Sequence, residues 1–198
     1  MPLNLDPVGM TLYRPLHETN PEFSVHLFPG YYEYRVENWR LARDGSGRVI
    51  HNVSSFGWVD AFAFIFASIL LQSEDRWWLF LAMGILCLIR LWLQCTQVLS
   101  ESLIILPPHG IQLETRRGLL TMCLSTTRRF IPLVKLHDMI INEGLNGWDI
   151  CHYLVAIRHT NKDRFSISVA FENILPPHTI LLHVYYGAHI ELLRKEDT

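Results

Sequence analysis

The stretch His137–Tyr153, HDMIINEGLNGWDICHY, gathers two His, two Asp, one Glu and one Cys. Such a set could serve as general acid and base, or bind zinc through nitrogen, sulfur and carboxylate donors. The spacing favours neither. In a strand, successive side chains face opposite sides. Asp138, Ile140 and Asn142 then share one face, and Met139, Ile141 and Glu143 share the other, so the carboxylates of Asp138 and Glu143 diverge. No HExxH or CxxC pattern links His137 to His152. GLNGWD reads as a loop, and Cys151–His152 as the start of the next strand. The expectation is a pair of strand ends and a turn, with Asn142 and Glu143 as a partner-binding surface.

Chemistry elsewhere is equally sparse. The sequence has no GxGxxG, GxxxxGK[ST] or GxSxG, no DxD, and no two Glu eight apart. Its polar C-terminal hundred residues are too few for the two Rossmann-like domains of a sugar-nucleotide enzyme. Cys87, Cys95, Cys123 and Cys151 form no CxxC pair, which argues against a disulfide framework or a zinc site. The expectation is a chain without catalytic residues, metal or cofactor. Two basic pairs, Arg116–Arg117 and Arg128–Arg129, have the charge to engage phospholipid headgroups, or else mark solvated turns.

The elements that must position these residues follow from composition. The 198 residues carry a net charge of −2, so no basic field points to nucleic acid. Charged residues are 18%, with six Trp and ten Phe, and the mean hydropathy is positive. The apolar excess is local. FGWVDAFAFIFASILL (56–71) and WWLFLAMGILCLIRLWL (77–93) are separated by QSEDR. Each approaches the roughly 20 residues of a membrane-spanning helix, and both are apolar all round. Trp58 and Trp92 lie near one end of the pair, Trp77 and Trp78 at the other, as in interfacial aromatic belts. The pattern predicts a transmembrane helical hairpin over 53–99, with a buried soluble hairpin as the alternative.

Arg35, Arg40, Arg43 and Arg48 precede the hairpin, and Arg116 and Arg117 follow it, so positive-inside reasoning places both termini in the cytosol. MPLNLDPVGM lacks the features of a secretory signal. Asp60 and Arg90 both fall about 16–20 Å from the hairpin turn at roughly 1.5 Å per residue. Charges at such depth are costly unless paired. They are candidates for an intramembrane pair, with Arg90 bonded to a partner subunit as the rival.

Residues 1–52 are polar with some strand character, and 100–198 read as a small β domain. RFSISVAF alternates cleanly, and YLVAIR precedes it across a short loop. SLIIL and IQLET flank PPHG as a second hairpin. LLTMCLST and RRFIPL suggest a third, and HDMIINEG a further short strand. After Pro176–Pro177, Leu181, Val184, Ala188 and Leu192 recur at helical spacing. The predicted fold class is an α+β membrane protein: the transmembrane hairpin, then a small antiparallel β domain of pleckstrin-homology-like outline closed by a C-terminal amphipathic helix.

ESLIILPPHGIQLET, RRFIPLVKLHDMIINEGL and YLVAI together resemble the PIG-H subunit family of phosphatidylinositol N-acetylglucosaminyltransferase. The resemblance is good over 100–157 and loose elsewhere. The N-terminal region is longer than the family pattern, and LSTTRR departs from it. The resemblance implies a non-catalytic subunit of the endoplasmic reticulum complex that transfers N-acetylglucosamine from UDP-GlcNAc to phosphatidylinositol, the first step of glycosylphosphatidylinositol (GPI) anchor synthesis. It also implies a PIG-A-type catalytic partner, further subunits, and contact with membrane lipid such as phosphatidylinositol. From the residues alone, a phosphoinositide-reading adaptor and a membrane-shaping hairpin protein stay open.

Overall fold

The structure, a computed structural model, describes residues 11–16, 19–41, 49–51, 77–119, 122–160 and 164–193. Five strands come first: β1 (Thr11–Tyr13), β2 (Phe23–Phe28), β3 (Tyr31–Glu37), β4 (Trp39–Leu41) and β5 (Val49–His51). Helix α1 (Trp77–Cys95) leads into β6 (Val98–Leu106), β7 (Gly110–Leu119) and β8 (Met122–Pro132). A 3-10 turn (Leu133–Lys135) joins β8 to β9 (Leu136–Asn146), followed by β10 (Asp149–Thr160), β11 (Arg164–Ala170) and α2 (His178–Leu193). The strands form a six-stranded sheet in the order β1-β2-β3-β6-β7-β8, a three-stranded sheet β11-β10-β9 and the pair β4-β5. Each described pairing is antiparallel.

Alternation explains the large sheet. In β2 and β3, Phe23, Val25, Tyr34 and Val36 turn to the core, while Ser24, His26, Glu33 and Arg35 take the other face. β6 completes the layer, pairing Tyr34 with Leu103 and Tyr32 with Ile105. Leu154, Ala156, Met139 and Ala170 of the small sheet close over the same core. Helix α2 supplies the lid: Ile180, Leu181, Val184 and Ala188 are fully buried against it. Gly187 lies so close to Tyr34 that a Cβ there would overlap the phenol hydroxyl.

One polar contact fastens these parts. Glu101 of β6 is buried, and its carboxylate accepts from the Asn173 and Ile174 backbone N–H groups, both at 3.1 Å. It also accepts from Asn173 Nδ2 at 2.6 Å and Thr115 Oγ1 at 3.2 Å. The turn it grips, Phe171–Leu175, has a left-handed residue at each end: φ is 57° at Phe171 and 47° at Leu175. Such backbone is costly for side-chain-bearing residues and persists only where surroundings hold it.

Several sequence expectations are corrected. The transmembrane hairpin is not found: among the described residues, no helix is long and apolar enough to cross a membrane. The first apolar segment and the hairpin turn lie outside the described residues. α1 is helical, but half-buried Arg90 interrupts its apolar run. Its end is drawn onto the large sheet, with Gln94 buried and the Gly118 N–H donating to the Gln97 carbonyl at 2.9 Å. Nor is the β structure a small pleckstrin-homology-like unit confined to 100–198. β1–β3 enter the same sheet as β6–β8, because their apolar faces complete its core. The expected hairpin of LLTMCLST with RRFIPL is not formed: Met122–Pro132 is the single strand β8, with no Gly, Asn or Asp in it and Pro only at its end. GLNGWD is mostly strand, with only Gly147–Trp148 as the turn and Gly147 at φ 67°.

Three substitutions test this packing. Gly187→Ala should lower the melting temperature, because overlap with Tyr34 outweighs the roughly 1 kcal/mol that alanine gains over glycine in a helix. Gly84→Ala in α1, where a Cβ meets nothing within 4 Å, should leave the melt unchanged or raise it. Glu101→Ala should reduce the unfolding free energy in urea by roughly 1–3 kcal/mol, the cost of stranding hydrogen-bond donors. A melt unaffected by Gly187→Ala, or a urea midpoint unmoved by Glu101→Ala, would remove these contacts from the account.

Candidate functional site

The outer face of the large sheet, opposite the core, carries a polar rung. Register places Arg35 beside Ser102, Ser102 beside Glu114, and Glu114 beside Arg128, from β3 to β8. Glu114 is the centre of the rung. Its side chain is 3% exposed, and its two oxygens accept from Arg116 Nε at 2.7 Å and Arg128 Nε at 2.8 Å. Burial alone pushes the Glu114 carboxyl up, but the Arg128 and Arg116 hydrogen bonds and charges more than offset this and hold it below its ordinary value. Along β3, buried Glu33 accepts from Arg35 at 2.7 Å and from the Tyr31 hydroxyl at 3.0 Å. Burial, then the Glu33 carboxylate, pushes the Tyr31 phenol up to about 12, so it remains a donor. His26, Phe28, Tyr31, Glu33 and Arg35 line an open basin at this end of the face. Burial, followed by the Arg35 charge, lowers the His26 imidazole below its usual value.

The four arginines named from sequence do not form one site. Arg116 and Arg128 meet over Glu114 on the outer face. Strand alternation puts Arg117 and Arg129 on the inner side. Arg117 Nε is buried without a hydrogen-bond partner among the described residues. Arg129 lines a cavity of about 50 Å³ together with Glu101, Thr127, Phe171 and Glu172.

The stretch His137–Tyr153 becomes the β9–β10 hairpin, and its polar residues separate. His137 meets the His159 ring edge-on and the Phe165 ring at a tilt, with centroids 4.9 and 5.3 Å away. His152 pairs with Glu143 at 3.2 Å and lies 4.5 Å from the His178 ring. Asn142 donates to the Tyr153 hydroxyl at 3.2 Å and accepts from the Glu143 N–H at 2.9 Å, and both residues are exposed. The Asp138 carboxylate accepts from the Met139 N–H at 2.7 Å. Beyond the core, Leu145, Trp148 and Ile150 stand exposed at the hairpin tip. Asp60 lies outside the described residues, so the Asp60–Arg90 pair does as well. Among the described residues, no group of His, Cys, Asp or Glu could hold a metal ion.

Sequence reading missed the two carboxylates that organise the sheet, Glu101 and Glu114. A signal was present: each sits inside a strand, where an unpaired Glu is almost never buried. Each therefore requires donors, which register supplies from Thr115 and Arg128 on neighbouring strands.

The depressed Glu114 carboxyl fixes a pH dependence. A carboxyl whose folded value lies below its unfolded value contributes stability above the unfolded value, and loses it as pH falls through the folded one. Glu114→Gln should cost roughly 1–3 kcal/mol near neutrality, toward the lower figure because both guanidinium groups are partly exposed. The deficit relative to the unaltered chain should shrink as the pH drops below the ordinary carboxyl value of 4.5. Urea titrations of both proteins across that range check this, and a deficit constant with pH would contradict it.

Comparison with known proteins meets this geometry in the same strands. Residues 102–172, from within β6 to just past β11, match the family described as "GPI-GlcNAc transferase complex, PIG-H component". The chain is 33% identical over 91 residues to phosphatidylinositol N-acetylglucosaminyltransferase subunit gpi15 of Schizosaccharomyces pombe. That alignment covers 43% of this chain, which thus spans about half (49%) of the relative's length. No solved structure matches the chain significantly. Over residues 102–172, the chain is therefore similar to the PIG-H family.

Proposed function

We propose that this chain is a non-catalytic subunit of the GPI-GlcNAc transferase complex, which transfers N-acetylglucosamine from UDP-GlcNAc to phosphatidylinositol in GPI-anchor biosynthesis. The observation that carries the reading is the family match over 102–172, which falls on the continuous run of strands β6–β11. The site geometry supports a scaffold role. Glu101 and Glu114 both spend their carboxylates on tying strands and turns together. In this reading the partners are a PIG-A-type catalytic subunit and further subunits, and the chain works at the endoplasmic reticulum membrane with its termini in the cytosol. Exposed Leu81, Ile85, Leu88, Leu91 and Trp92 of α1 support a place beside lipid or another subunit, since apolar patches of this size on a soluble monomer are rare. The exposed, hydrogen-bonded pair Asn142–Glu143 is one candidate contact for the catalytic subunit.

Depleting the chain from cells should abolish formation of N-acetylglucosaminyl-phosphatidylinositol from UDP-GlcNAc in isolated microsomes, and re-expression should restore it. Undiminished transfer in its absence would refute the reading. Within that assay, Glu143→Lys should lower the yield of assembled complex while the chain keeps its melting temperature. Full yield and full transfer would remove this surface from the interface.

A further inference from the structure

Among the described residues, the large sheet ends on β8, whose one neighbour is β7. Every residue from Met122 to Phe130 is exposed, so the strand is open along its free edge and on both faces. A long edge of this kind presents a row of main-chain N–H and C=O groups that can template another strand. Proteins usually blunt such edges with proline, a bulge or charge. In β8, proline comes only at its end, Pro132, and the register shift with β7 lies at the other end, near Gly118. Between them the devices left are two charges, and these differ. Arg128 is bound to Glu114. Arg129 lines a cleft with Glu101, Glu114, Thr127, Phe171 and Glu172; the Glu101 and Glu114 carboxylates are taken up by other donors, and Arg129 has no hydrogen-bond or ion-pair partner among the described residues. Opposite charges directly across a strand pair stabilise it, and like charges destabilise it. A basic strand laid along β8 would meet Arg129 with repulsion, and a neutral one would leave it unpaired. An acidic strand would satisfy both the edge and the guanidinium, which is selection by charge.

We propose that β8 accepts an extended strand from another subunit of the transferase complex as the seventh strand of the sheet, with a carboxylate of that strand facing Arg129. The inference rests on the subunit reading above. It is tested on the full chain, alone and co-assembled with the other subunits in mild detergent, by amide hydrogen exchange. The β8 amides that point away from β7 should slow by roughly tenfold or more in the complex and stay fast in the chain alone. Arg129→Glu should weaken assembly by about tenfold or more, at an unchanged melting temperature, and Arg129→Lys should largely retain it. Equal exchange of β8 in the free and assembled chain overturns the proposal and leaves the subunit reading standing, as does assembly indifferent to Arg129→Glu. An unaltered chain that assembles with none of the subunits overturns both. Protection of β8 in the chain alone, with a doubled mass by light scattering, assigns the edge to a second copy and overturns the proposal.

Discussion

The Glu101 carboxylate is the contact on which the rest of the molecule depends. It stands on β6, which lies in the interior of the large sheet, and it binds a turn that lies seventy residues further along the chain. That turn carries the chain from the small sheet into α2. Without it, two left-handed residues would lack their anchor, and the helix that covers Leu103, Leu154 and Tyr34 would lose its fixed point of departure. A charge placed in a core is stable only when its hydrogen bonds are complete. Here four donors complete them, three from the Phe171–Leu175 turn and one from Thr115 of β7, so the cost of burying the charge becomes a requirement that β6, β7 and the turn sit together.

The outer face of the sheet repeats the device with a different purpose. Glu33 and Glu114 are buried beneath the guanidinium groups of Arg35, Arg116 and Arg128, which hold their positions across four strands. Carboxylates below and cations above give a face that is nearly neutral overall but rigid and rich in directed donors.

Legibility in the sequence divided along physical lines. Helix α2 was readable because its core positions recur at 3.6-residue spacing and a Pro pair marks its start; Leu181, Val184 and Ala188 are all fully buried. His183 was less so, since it turns toward Tyr13 and Phe23 instead of open water. In β11 the alternation was plain, yet the larger apolar set faces outward: Phe165 and Ile167 are exposed, while Ser168 and Ala170 pack inward. The inner face has room only for small groups, which periodicity cannot reveal. The apolar segments 56–71 and 77–93 dominated the hydropathy, but hydropathy is blind to where a helix ends, and the docking of Gln94 and Gln97 on the sheet depends on residues over twenty positions away. The two organising carboxylates were hidden for the same reason. Their partners, Asn173 and Ile174 for Glu101, and Arg128 for Glu114, come from distant strands and turns that only register brings near.

The most direct measurement is site-resolved amide exchange of Asn173 and Ile174 in the unaltered chain and in Glu101→Gln. If the carboxylate anchors the turn, both amides exchange slowly in the unaltered chain, at rates comparable to core strand amides of β6. In Glu101→Gln they lose that protection, while the amides of β2 and β3 keep theirs. Fast exchange of Asn173 and Ile174 in the unaltered chain, or protection unchanged by the substitution, would contradict the account.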